Sequence, residues 1–126
     1  MLLAAVALFL ATDNFGVIVK GKLIPEVVKH GKIEIAKYEI TCAQYFAWDN
    51  GYPMRPGSEN LPATGITPAQ ARGYAEWLSG LTGDTWRLPA KEELKGAEKL
   101  DPKVAEWTSN GKPNGDGFRV VREKKK

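Results

Sequence analysis

GITPAQARGYAEWLSGLTGDTWRLPAKEEL, residues 65–94, is the stretch from which the fold is read. Thr67 can cap the free N–H groups of a first helical turn. Pro68 suits the first helical position, and Gln70, three residues after the cap, can reach back to complete a capping box. Ala71, Tyr74, Ala75 and Leu78 then recur at helical spacing and predict one buried face. Gly80 and Gly83 supply the stop. Trp86-Arg87-Leu88-Pro89 reads as a short extended turn into a third helix over residues 91–99, which Gly96 weakens.

Upstream of this segment, Thr41 and Gln44 repeat the capping-box spacing and open a helix that carries Ala43, Tyr45, Phe46 and Trp48. Asn50-Gly51 ends it. Residues 52–65 form a loop on composition, with Pro53, Pro56, Gly57 and Pro62. KIEIAKYEI, residues 32–40, sets Ile33 and Ile35 on one face and Glu34 on the other, the alternation of a half-buried strand. GVIVKGKLI, residues 16–24, reads as two short strands or a hairpin, broken by Pro25. Downstream, residues 105–109 and 117–122 read as short strands around the turn-rich NGKPNGD. The expectation is an α+β domain with two main helices and short strands.

A chain of 126 residues, 43% hydrophobic and 26% charged, suits one such domain with a real core. Thirteen glycines and eight prolines imply many turns and exclude a helical bundle. The 18 basic residues exceed the 15 acidic by three, and Lys124, Lys125 and Lys126 alone make up that excess. The body of the domain is neutral and no basic stretch is interleaved with aromatics, which argues against nucleic acid as a partner. Cys42 and His30 are the sole residues of their kinds. They cannot supply a disulfide or a Cys/His metal site, so no metal and no cofactor is expected.

Residues 1–11, MLLAAVALFLA, are an unbroken apolar run closed by Thr12-Asp13-Asn14. Eleven residues are too few to span a bilayer as a helix. Three readings stay open: an export signal, a short membrane or partner-docking anchor, or an ordinary core element. Leu2, Leu3, Leu8, Phe9 and Leu10 are its bulky members and its candidates for partner contact. Tyr52 and Arg55, in the proline-rich loop, are a second set, because exposed Tyr and Arg favour interfaces. The division expected is an apolar segment over 1–12, a domain over 16–122 and a basic tail over 123–126.

Three segments, in order, resemble the formylglycine-generating-enzyme (sulfatase-modifying-factor) family. IEIAKYEITCAQYFAW is similar to its opening strand and helix, and residues 65–94 to its central W-L-S and R-L-P region. VAEWTSN followed by GFRVVR is similar to its V-x-E-W and terminal G-F-R. The resemblance covers roughly residues 33–122 and implies a C-type-lectin-like fold with short antiparallel strands. In that fold Trp77, Trp86 and Trp107 belong to the core and Arg87 anchors a buried turn. Glu106 would be a structural partner. The departures concern chemistry. Family enzymes that oxidise a substrate cysteine bind copper at a late cysteine pair, and no cysteine follows Cys42. The related iron-dependent members use three histidines, and the chain has His30 alone. Ala90 stands where the R-L-P motif has a capping Thr, which removes half of a capping box.

The function expected is therefore a non-catalytic binding or structural module, an accessory subunit of a larger extracytoplasmic, periplasmic or membrane-associated assembly. A cytoplasmic site is the alternative compartment. The first alternative function is a lectin-like display domain for sugar, peptide or calcium, although Asn110, Asn114 and Asp116 lack the spacing of a calcium loop. The second is an enzyme related to formylglycine generation. For it the sequence offers only a Cys42/His30 dyad without a third group, and Glu92, Glu93 and Glu98 on an expectedly solvated helix.

Overall fold

The computed structural model describes residues 16–96, 108 and 117–123. Two hairpins come first. Strand β1 (Gly16–Val19) pairs antiparallel with β2 (Lys22–Pro25), and Lys20 and Gly21 make the turn with φ of 51° and 79°. Left-handed geometry at both central residues defines a type I′ turn, the one whose twist matches paired strands. Strand β3 (Val27–His30) then pairs antiparallel with β4 (Ile33–Ala36). Strand β3 was not legible in the sequence. Pro25 ends β2 and a single residue, Glu26, separates it from the next strand, so the proline breaks one hairpin from another.

Strand β4 is shorter than the alternation suggested, because the chain bends at Lys37 and Tyr38. Ile33 and Ile35 pack with Val28 and Val121 on one face, and Glu34 sits on the other, donated to by Arg122 Nε at 2.8 Å. Helix α1 (Cys42–Phe46) carries the expected capping box: Gln44 N donates to Thr41 Oγ1 at 3.2 Å and Thr41 N to Gln44 Oε1 at 3.1 Å. It stops well before Asn50. Trp48 N and Asp49 N both donate to Tyr45 O, tightening the last turn, and Asp49 Oδ1 accepts from Gly51 N at 3.0 Å.

Helix α2 (Pro68–Thr82) follows the sequence reading closely. Gln70 N donates to Thr67 Oγ1 and Thr67 N to Gln70 Oε1, while Ala71, Tyr74, Ala75 and Leu78 are the buried face. Gly80 lies inside the helix, and Gly83 alone ends it, in left-handed geometry at φ 86°. Thr67→Ala is expected to cost about 1 kcal/mol through loss of the cap. A chemical-denaturation midpoint read against wild type measures it, and the threonine-to-serine variant should keep most of the stability.

Strand β5 (Thr85–Arg87), helix α3 (Lys91–Gly96) and strand β6 (Val121–Glu123) complete the described elements. Strand β6 inserts between β4 and β5, giving a four-stranded antiparallel sheet in the order β3-β4-β6-β5. Residues 118–120 run into it in extended form; Ile40 N donates to Phe118 O and Ala36 N to Val120 O. The main core lies between this sheet and helices α1 and α2. Tyr45, Tyr74 and Phe118 meet there edge to face or stacked, with ring centres 5.5–6.2 Å apart. Trp86 is buried and its Nε1 donates to Thr82 Oγ1 at 2.7 Å. Trp77 is only half-buried, at the rim against Tyr74, which corrects its expected place in the core. Trp107, Glu106, Glu98, Asn110, Asn114, Asp116 and the lysine tail fall outside the described residues, as do most of the strand expected over 105–109 and the last residues of the third helix.

Candidate binding cleft

The loop over residues 52–65 is held at both ends by helix α1 and its approach. Cys42 N donates to Leu61 O at 2.8 Å and Ala43 N to Glu59 O at 3.0 Å, so loop carbonyls satisfy the first free N–H groups of the helix. Ala63 N donates to Ile40 O at 2.8 Å. At the other end the Tyr52 hydroxyl donates to Thr64 O and accepts from Thr64 N, both at 3.0 Å, closing the loop on itself. Its tip is pinned by Ser58, whose hydroxyl and N–H both donate to Arg55 O.

This folding-back encloses a cleft of about 560 Å³, lined among others by Cys42, Asp49, Tyr52, Arg55, Ser58 and Leu61. That size lies within the range of small-ligand and peptide-anchoring pockets. The reactive groups on its wall are held by backbone. Cys42 is buried and its Sγ lies 3.7 Å from Pro62 O, to which it donates. Tyr52 makes its two bonds to Thr64, and burial raises its hydroxyl above the usual phenol range. What the cleft presents outward is the exposed Arg55 and Leu61, 58% exposed.

The sequence brought Tyr52 and Arg55 forward, and the structure places both in this one cleft. It missed Asp49, Ser58 and Leu61. Leu61 carried the readable signal, as an apolar residue isolated in a proline-rich loop. Leu2, Leu3, Leu8, Phe9 and Leu10 lie outside the described residues. The Cys42/His30 pair is not assembled. His30 lines a different cleft of about 370 Å³ with Glu92 and Glu93, while Cys42 lines the first. Among the described residues no cluster of three or more His, Cys, Asp or Glu could hold a metal. The copper site of the formylglycine-generating enzymes that the sequence resembles requires paired thiolates, and the chain's one thiol donates to Pro62 O, so these residues do not fit that metal.

Glu93 is not the solvated surface charge expected of it. Arg87 Nη1 and Nη2 clamp its carboxylate at 2.8 and 2.9 Å, and Arg87 Nε reaches Glu123 at 2.8 Å. Glu93 Oε1 also accepts from Ala90 N at 2.7 Å. That bond is the surviving half of the capping box whose threonine is absent at position 90. The Arg87 hydrogen bonds hold the Glu93 carboxyl below the usual carboxylate range, and those to Glu93 hold the guanidinium protonated still more firmly. Arg87 thus ties β5, α3 and β6 together, the anchoring role expected of it.

Titration at the opposite end of the pH scale involves the core. Burial, with Asp49 adding to it, pushes the Tyr45 hydroxyl up to about 12, and burial raises Tyr74 further. Both phenols must stay neutral in the folded state. Their contribution to stability is therefore complete below pH 10, the ordinary phenol value, and is lost as pH rises towards 12 and beyond. A pH-jump series followed by tyrosinate absorbance and circular dichroism should show these two phenols ionising only as the chain unfolds. Free titration of all four tyrosines in a folded chain would contradict it.

Compared with protein-family models, with curated proteins and with solved structures, the chain has no match in any of the three. The fold stands as α+β, with three helices and two small antiparallel sheets among the described residues. No helix among those residues is long and apolar enough to cross a membrane.

Proposed function

We propose that the chain is a non-catalytic binding module on a formylglycine-generating-enzyme-like, C-type-lectin-like scaffold. In this reading it takes a segment of a partner protein into the Tyr52/Arg55 cleft as an accessory subunit of a larger extracytoplasmic assembly. One observation carries the reading. The groups in the cleft that could do chemistry, Cys42, Asp49 and Tyr52, are each hydrogen-bonded to backbone, whereas those suited to contact, Arg55 and Leu61, face outward. The scaffold assignment has separate support. The first and last family-like segments meet at Ile35↔Val121, and the central and last meet at Arg87↔Val121. Residues far apart in sequence thus close on one strand, as a shared scaffold requires.

The test is native mass. In extracts of its own source the 13.8 kDa chain should elute within a larger assembly, and Arg55→Glu should release it at monomer mass with an unchanged melting temperature. A wild-type chain that elutes as a monomer overturns the reading. So does conversion of a peptide cysteine to formylglycine on incubation with the chain, copper and oxygen.

A further inference from the structure

We propose that the β1–β2 hairpin is a contact site for an anionic lipid bilayer, a role independent of the cleft. Strand β1 is the outer strand of a two-stranded sheet. Its partner β2 buries Ile24 and Pro25, and Val19 packs on the core, yet Val17 and Ile18 are 46% and 54% exposed. Consecutive strand residues point to opposite faces, so exposure of both leaves neither face of β1 fully covered. They are two of the four large hydrophobic side chains exposed among the described residues, and they are adjacent.

Cationic side chains stand at the end of this apolar pair. Lys20 and Lys22 are exposed at the turn and opposite Val19, with no acidic partner among the described residues. Lys20 holds φ 51°, the one left-handed residue other than glycine among those described. Asn, Asp or Gly would occupy this position of a type I′ turn with less strain. A strained position marks a candidate for function, and a lysine gives this one charge at the hairpin apex. Exposed aliphatic residues beside lysines match the boundary between acyl chains and anionic headgroups, where each lysine gains from the surface potential.

The apolar run of the sequence, residues 1–11, closely precedes this hairpin along the chain. Residues 12–15 join it to Gly16, and the five steps from Ala11 to Gly16 span at most about 18 Å. Strand β1 itself is about 10 Å long. Whatever surface receives residues 1–11 therefore lies within reach of Val17, Ile18 and Lys20, and a bilayer accepts both apolar elements together.

The experiment uses the full chain and sedimentation with vesicles of phosphatidylcholine mixed with phosphatidylglycerol, against pure phosphatidylcholine. The chain should partition onto the mixed vesicles and several-fold less onto the neutral ones. Lys20→Asn places before Gly21 the residue this turn favours, so the hairpin is retained while the charge is lost; partitioning should fall about fivefold. Val17→Thr with Ile18→Thr keeps β-branched side chains in the strand and should lower partitioning about tenfold. Three results would each overturn the proposal: no sedimentation of the full chain, equal binding to neutral vesicles, or unchanged binding by both variants. The last would assign attachment to residues 1–11 alone. A variant that loses a protein partner while the wild type ignores vesicles would assign the hairpin to protein contact and sink the bilayer.

Discussion

Tyr74→Ala is expected to lower stability by on the order of 3–5 kcal/mol, the usual cost of emptying a buried aromatic site. Tyr74 is fully buried on α2 and its ring meets those of Tyr45, Trp48, Trp77 and Phe118. Those neighbours come from α1, the turn after it, α2 and the approach to β6, so they cannot all close on the cavity together. Domains of this size are stable by roughly 5–15 kcal/mol, so the variant stands near the threshold of folding. Tyr74→Phe should behave in the opposite sense. The Tyr74 hydroxyl is buried with no hydrogen-bond partner among the described residues, and an unsatisfied buried hydroxyl costs about 1–3 kcal/mol. Keeping the ring and deleting that oxygen should leave stability unchanged or raise it. Urea unfolding of both variants decides the matter: a Tyr74→Phe that loses more than about 1 kcal/mol would mean that the hydroxyl is hydrogen-bonded after all.

Arg119→Ala should rank with it, at about 3–5 kcal/mol. Arg119 is the largest of the fully buried side chains among the described residues, 1% exposed. Its Nη1 donates to Ala36 O at 3.2 Å and Lys37 O at 2.9 Å, where the chain leaves β4. Removing the guanidinium strands these carbonyls and opens a cavity between residues 36–37 and the strand entry at 118–120. Arg119→Lys should recover only part, because both bonds come from Nη1, which an ammonium can imitate, while the other N–H donors of the planar fork are lost. Equilibrium unfolding with hydrogen exchange at residues 33–40 would measure it. A near-neutral Arg119→Lys would show that charge alone, and not the fork, holds the bend.

These two sites differ in how legible they were. Tyr74 was readable because the helix period marks a buried face whatever lies across from it: Ala71, Tyr74, Ala75 and Leu78 recur at spacings of three and four. The capping boxes at Thr41/Gln44 and Thr67/Gln70 were readable for the same reason, since both partners lie three residues apart in one chain segment. The loss of the cap at Ala90 was legible only against the resembled family's motif, and the bond from Ala90 N to Glu93 was not foreseen. Tyr52 and Arg55 were singled out by type and by their proline-rich surroundings, and both line the one cleft.

Arg119, Glu93 and Leu61 were decided elsewhere. Arg119 acts on carbonyls more than eighty positions away, Glu93 joins an arginine that also holds Glu123, and the cleft exists because Tyr52 closes on Thr64. Strand β3 was hidden because a four-residue strand next to a proline carries too little alternation to register. Helix α1 ended early where Trp48 N and Asp49 N both turn back onto Tyr45 O, and Asp49 then accepts from Gly51 N. Local sequence, then, determined where helices begin and which of their faces are buried, because caps and periodicity are short-range. Only the tertiary structure decided the strand order, the partners of the buried and half-buried charges and the shape of the cleft. Hydrogen bonds between distant segments depend on which segments pack together, and that pairing is set by the closing of β6 between β4 and β5.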